Sequence, residues 1–137
     1  MSYLLDTSVL SEARRSRADR GVRSWLASVS GTELYISVLA VGEIRQGIER
    51  LRGRDPGQAA VYEAWLLTLY RDYRDRIVPV TPEIAEEWGR LNARVPIAAI
   101  DGLMAATAII RNLTLITRDV ADVARWGVRL LNPFASG

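Results

Sequence analysis

Short apolar runs and longer helical stripes take turns along the chain. The first run, Tyr3, Leu4 and Leu5, is too short for a helix and predicts a buried strand. It ends at Asp6, and Thr7 and Ser8 lead into a short helical piece over residues 9–13. The basic, polar segment 14–17 reads as a loop. Val22, Trp25, Leu26 and Val29 recur at helical spacing and predict a helix over 18–29. Residues 34–38 are β-branched and aromatic, which predicts a second strand. Leu39, Ile44, Gly47, Ile48 and Leu51 then share one face of a long helix, with Glu43 in its first turns. The cluster 52–57 is a strong breaker. Beyond it, Val61, Trp65, Leu66, Leu69 and Tyr73 form the stripe of a helix over 58–73. Segment 41–73 fits a helix-turn-helix or an αα-hairpin packed on a sheet.

Residues 76–80 predict a short strand, near a sheet edge because of Pro79. Thr81 and Pro82 read as an N-cap followed by proline at the first helical position, and Ile84, Trp88, Leu91 and Val95 face inward from that helix. Residues 100–110 are almost without polar side chains, which marks a buried helix, with Asp101 at its N-terminus as the exception. A buried strand over 113–116 follows, then Thr117, Arg118 and Asp119. A short helix over 120–126, a stop at Gly127, a last strand over 128–131 and a loose tail over 132–137 complete the reading. Strands alternating with helices predict an α/β fold, a parallel sheet covered on both faces. The length of 137 residues predicts a single domain, 1–137.

Composition narrows the chemistry. There is no cysteine and no histidine. That excludes disulfides, thiolate metal sites and a cysteine nucleophile, and removes the usual neutral-pH base. Hydrolytic chemistry here must rest on carboxylates, hydroxyls, arginines and a hard metal ion. All 18 basic residues are arginine, and the net charge is +2. The arginine usage reads first as codon bias, although arginine also binds phosphate bidentately. No apolar run is long enough for a bilayer, and no basic-then-apolar leader opens the chain, so a soluble, cytoplasmic protein is expected.

Four acids stand at element ends. Asp6 ends the first strand, Glu43 lies early in the helix after the second, Asp101 opens the buried helix, and Asp119 follows the strand 113–116, with Asp122 one turn on. In a parallel α/β sheet, strand C-termini and the helix N-termini after them share a rim, where ligands bind. Asp6, Glu43 and Asp119 therefore land together; topology alone places Asp101 less firmly. Taken singly, capping accounts for all but Glu43. Taken together with apolar neighbours, a shared metal accounts for them better, because a charge in such surroundings needs a partner. Oxygen ligands suit Mg2+ or Mn2+. Two such ions can activate water and stabilise the leaving oxygen in phosphodiester cleavage. Ser8 and Thr117 are the favoured supporting hydroxyls, with Thr7 beside them. Arg14, Arg15, Arg17 and Arg20 form the densest basic run; by default it is a solvated loop, and with Arg118 it is placed to hold a nucleic-acid backbone.

The segments Leu5-Asp6-Thr7-Ser8, Val41-Gly42-Glu43-Ile44, Asp101-Gly102-Leu103-Met104-Ala105-Ala106 and Thr117-Arg118-Asp119, in this order and spacing, resemble the four acidic motifs of the PIN-domain family, and most closely its VapC-type ribonuclease toxins. The resemblance covers essentially the whole chain. It implies a three-layer α/β/α PIN-like fold with a central, mostly parallel sheet of four to five strands. It implies a Mg2+- or Mn2+-dependent endoribonuclease, the toxin of a toxin–antitoxin pair, with Asp6, Glu43, Asp101 and Asp119 as catalytic and metal-holding residues. It also implies a homodimer and a VapB-like, DNA-binding antitoxin that blocks the site. Two positions depart from the family pattern. Ser8 stands where many relatives have asparagine. The last motif carries both Asp119 and Asp122, which leaves two candidates for the fourth ligand; the strand-end position favours Asp119.

Two other classes compete. One is a catalytically silent PIN-like binding module, acting only in an antitoxin or repressor complex; the presence of all four acids argues against it. The other is an acidic-cluster phosphatase or DNA nuclease. A phosphatase with an aspartate nucleophile would need an acid two residues after Asp6, where Ser8 stands. RNA rather than DNA rests on the resemblance.

Overall fold

The computed structural model describes residues 1–135. Five strands form one sheet in the order β3-β2-β1-β4-β5, and every pairing is parallel. They are β1 (Tyr3–Leu5), β2 (Leu34–Ser37), β3 (Ile77–Val78), β4 (Thr114–Ile116) and β5 (Leu130–Leu131). Six helices connect them: α1 (Thr7–Ala13), α2 (Arg20–Ser28), α3 (Val38–Arg52), α4 (Pro56–Tyr73), α5 (Pro82–Arg94) and α6 (Ala99–Arg111). This is the expected layered architecture. β3 is an edge strand, as Pro79 beside it requires. The segment 41–73 is an αα-hairpin: α3 and α4 pack together and against β2.

Alternation along β1 explains the layers. Successive strand residues point to opposite faces. Leu5 enters a core with Ile36, Val9, Val22, Ile44, Ile48 and Leu66, under α1 to α4. Leu4 enters the other core, with Met104, Ala105, Leu115, Val123 and Trp126, under α6. Each such fully buried leucine contributes about 1.5–3 kcal/mol by leaving water. Small residues at 105, 106 and 108 let α6 lie close on the sheet, and all three are buried.

Three details differ from the sequence reading. Val61 was expected inward on α4, yet it is 51% exposed, and Leu67 and Tyr70 are also exposed. The helix has more apolar residues than its one buried face can take. The stretch 120–126 forms a 3-10 turn over Val123–Trp126, not an α-helix, and stops at Gly127 in a left-handed conformation, φ 72°. The tail is not loose as far as Ala135. Phe134 is buried in the α1–α4 core, and the Ala135 N–H donates to Asp19 Oδ2 at 2.9 Å. Residues 136 and 137 of the expected loose tail lie outside the described residues.

Asp19 also caps α2, accepting the Gly21 and Val22 N–H groups on the same oxygen at 2.8 and 3.1 Å. These donors, led by that of Ala135, hold its carboxyl below the usual carboxylate range. The close approach of the tail needs Gly21. A Cβ there would stand 2.3 Å from the Pro133 carbonyl oxygen and 2.6 Å from the Ala135 nitrogen. Backbone cannot yield as a side chain does, so Gly21→Ala is expected to displace the tail and cost about 1–3 kcal/mol. Thermal melting checks this, and an unchanged midpoint would show that the tail contributes nothing.

Candidate active site

The strand order reverses at β1. The chain runs outward from β1 through β2 to β3, then returns to lay β4 and β5 on the other side. Side chains at the ends of β1 and β4 therefore meet at the switch point, where open α/β sheets bind ligands. Asp6 continues β1, and its N–H donates to the Ile116 carbonyl of β4 at 2.9 Å. Thr117 continues β4, is buried, and donates its hydroxyl to Asp6 Oδ2 at 2.9 Å. Ser8 donates to the same oxygen at 2.8 Å.

These bonds argue against capping as the role of the Asp6 side chain. It occupies the N-cap position of α1 but makes no side-chain cap bond. Its Oδ2 accepts two hydroxyls, and its Oδ1 accepts nothing among the described residues. Asp101 is not a cap either: it lies in the first turn of α6, whose N-cap is Ala98. Asp122 stands at the N-cap of the 3-10 turn and makes no cap bond.

Glu43 lies in the second turn of α3, half-buried, and Thr7 donates to its Oε1 at 2.6 Å. Sequence reasoning ranked Thr7 below Ser8 and Thr117, yet it tethers Glu43 across 36 positions. Asp119 follows β4 and is exposed; its N–H donates to Thr117 Oγ1 at 3.2 Å. The three hydroxyls thus link the ends of β1, β4 and α3.

The acids act on one another. Burial, foremost, raises the Asp101 pKa; the negative charges of Asp6, Asp119, Glu43 and Asp122 raise it further, in that order. Asp119 therefore weighs more on Asp101 than Asp122 does. None of the five carboxylates makes an ion pair among the described residues. The set is all oxygen and all anionic, the donor chemistry of a hard divalent cation. Among the described residues, no three acidic side chains already stand close enough to hold one ion.

The residue after Asp101 packs against two tryptophans. Gly102 is buried beside Trp126 and Trp88; a Cβ there would stand 2.9 Å from Trp126 Cη2 and 3.0 Å from Trp88 Cδ1. The missing side chain lets both indoles pack beneath the turn that carries the acid. The Trp88 indole N–H is buried there without a hydrogen-bond partner among the described residues.

The arginines divide. Arg14 lies over the Tyr62 ring at 4.2 Å and near Trp65 at 5.5 Å. Arg15 pairs with Glu12 at 3.1 Å. Arg15, Arg17 and Arg118 line a hollow of about 210 Å3 with Glu12, Asp19 and Phe134. Arg118 stacks over Phe134 at 4.4 Å, and its N–H reaches Ser8 Oγ at 3.4 Å.

Comparison with known proteins fits this geometry. The family model "PIN domain" matches residues 3–124. The chain belongs to the PIN-domain family. Among curated members, Toxin FitB of Neisseria gonorrhoeae is 31% identical, over 96% of this chain and 97% of that protein. The VapC ribonuclease Y4jK of Sinorhizobium fredii is 26% identical over 96% of each. A crystal structure of FitAcB from Neisseria gonorrhoeae superposes with a TM-score of 0.87 at 31% identity, covering 96% of this chain and 97% of that one. A structure of FitAB bound to a DNA fragment superposes with a TM-score of 0.86 at 29% identity, covering 96% and 94%. No helix of this PIN domain, among the described residues, is long and apolar enough to cross a membrane.

Proposed function

We propose that the protein is a divalent-metal-dependent endoribonuclease, the toxin of a toxin–antitoxin pair. The observation that carries this reading is Asp6: a strand-end carboxylate without a side-chain cap bond, held on one oxygen by Ser8 and Thr117, near four acids that make no ion pair among the described residues. Asp6, Glu43, Asp101 and Asp119 would hold Mg2+ or Mn2+, with Asp122 as a weaker, outer contributor. Such an ion supplies charge neutralisation, activation of water and stabilisation of the leaving oxygen at a phosphodiester.

The chain's own residues do the rest. Ser8 and Thr117 both hold Asp6 through Oδ2, which leaves Oδ1 without a donor among the described residues. Thr7 fixes Glu43 in the same way. Arg15, Arg17 and Arg118 offer guanidinium groups near the rim for the RNA backbone. No side chain serves as nucleophile. RNA as substrate draws on the likeness to VapC ribonucleases, and an antitoxin partner on the likeness to FitAB and VapBC complexes. We place the protein in the cytoplasm, where that RNA lies, as a homodimer of one-domain chains.

The deciding experiment is digestion of total cellular RNA by purified, antitoxin-free protein. Discrete fragments are expected with Mg2+ or Mn2+, and none with EDTA. Folded protein that leaves several RNA pools intact in both metals would instead favour a binding module without catalysis.

A further inference from the structure

From Thr7 and Glu43 a groove of about 460 Å3 runs along α3 towards α4, past Ile44, Gly47, Arg50 and Arg54, with Gln58, Tyr62 and Trp65 on its far wall. Its size falls in the range of about 300–1,000 Å3 typical of sites for one small molecule. We propose that this groove is a nucleotide subsite, seating a nucleotide of the RNA strand next to the phosphate that is cleaved. The inference rests on the nuclease reading and deepens it.

Four features favour a nucleotide. The groove is continuous with the acids, since Thr7 and Glu43 belong to both, so a strand at the acids runs into it. Arg50 and Arg54 make no ion pair among the described residues, whereas Arg45 and Arg52 nearby are taken up by Glu49 and Glu63. Two uncommitted guanidinium groups in a groove suit backbone phosphates. The far wall combines Gln58 with Tyr62 and Trp65, whose rings meet edge to face at 6.1 Å with Arg14 over both. Aromatic and guanidinium planes with an amide are the groups that stack on and hydrogen-bond unpaired bases.

The fourth feature is Gly47. It sits in the middle of α3, where glycine costs about 0.5–1 kcal/mol relative to alanine. Packing does not require it, because a Cβ there would meet nothing within 4 Å. Its effect is to keep the groove open at mid-length.

The test is fluorescence anisotropy of a fluorescein-labelled, mixed-sequence single-stranded oligoribonucleotide with the purified chain in EDTA, where no cleavage occurs. Gly47→Phe fills the groove from a position that carries no packing. It is expected to weaken binding by about fivefold or more, the loss of one stacked base, with no fall in melting temperature. Arg50→Ala with Arg54→Ala is expected to weaken binding about tenfold and to flatten the slope of log affinity against log salt by about 1.4, two phosphate contacts at about 0.7 each. With metal restored, cleavage at subsaturating RNA falls in step. Groove variants that bind and cleave like wild type, while wild type still cleaves with metal, would overturn the subsite and leave the nuclease standing. Wild type that neither binds nor cleaves RNA would overturn both. Variants that bind RNA normally but escape inhibition by the cognate antitoxin would reassign the groove to a protein, which also overturns the proposal.

Discussion

Replacing Asp6 by asparagine is expected to lower metal-dependent RNA cleavage by about a hundredfold or more while leaving the fold intact. The first half follows from its place. Altering an outer partner of a metal ligand costs roughly 10–100-fold in affinity or activity, so loss of a ligand itself costs more. The second half follows from its bonds. Asp6 caps nothing, and the Ser8 and Thr117 hydroxyls need only one oxygen acceptor, which the asparagine amide retains. The two side chains have the same size. Circular dichroism and a melting curve beside the cleavage assay separate the two halves. Full activity in folded Asp6→Asn protein would remove Asp6 from the site.

Asp101→Asn should also abolish cleavage, yet melt higher than wild type in metal-free buffer at neutral pH. Burial and then the charges of Asp6, Asp119, Glu43 and Asp122 raise the Asp101 pKa above 3.8. A carboxyl whose pKa is higher in the folded state binds its proton more tightly there. Stability is therefore lost as pH rises from the unfolded value through the folded one, and stays lost above it. Asparagine carries no charge and escapes that loss. The gain is modest, since solvent screens a side chain that is only part-buried. It should vanish at pH below about 3.8, where wild type is protonated in both states. An Asp101→Asn protein that melts lower than wild type in EDTA at neutral pH would show that the carboxylate stabilises the fold, contrary to the repulsion inferred here.

The sequence by itself determined the layers and most of the element ends. Hydrophobic spacing located every strand and helix to within a few residues, because burial on one face is a local pattern. Turn chemistry did the same at Thr81-Pro82 and at Gly127. Three of the candidate acids, Asp6, Glu43 and Asp119, could be grouped from the sequence because strand C-termini and the helices after them share one rim in a parallel sheet, whereas topology placed Asp101 less firmly. Composition excluded thiol and imidazole chemistry outright.

What only the tertiary structure decided concerns contacts between segments far apart. Whether Asp6 caps α1 or faces a site depends on Thr117, which is 111 positions away. The tether from Thr7 to Glu43 and the weight of Asp119 over Asp122 on Asp101 arise in the same way. The docking of Phe134 was hidden because a lone aromatic in a polar tail has no periodicity. Val61 was misplaced because a stripe on α4 does not reveal how much of its circumference the sheet can cover. Gly21, Gly47 and Gly102 look alike in the sequence. One admits a backbone, one keeps a groove open and one seats two indoles, and those differences exist only once the neighbours are in place.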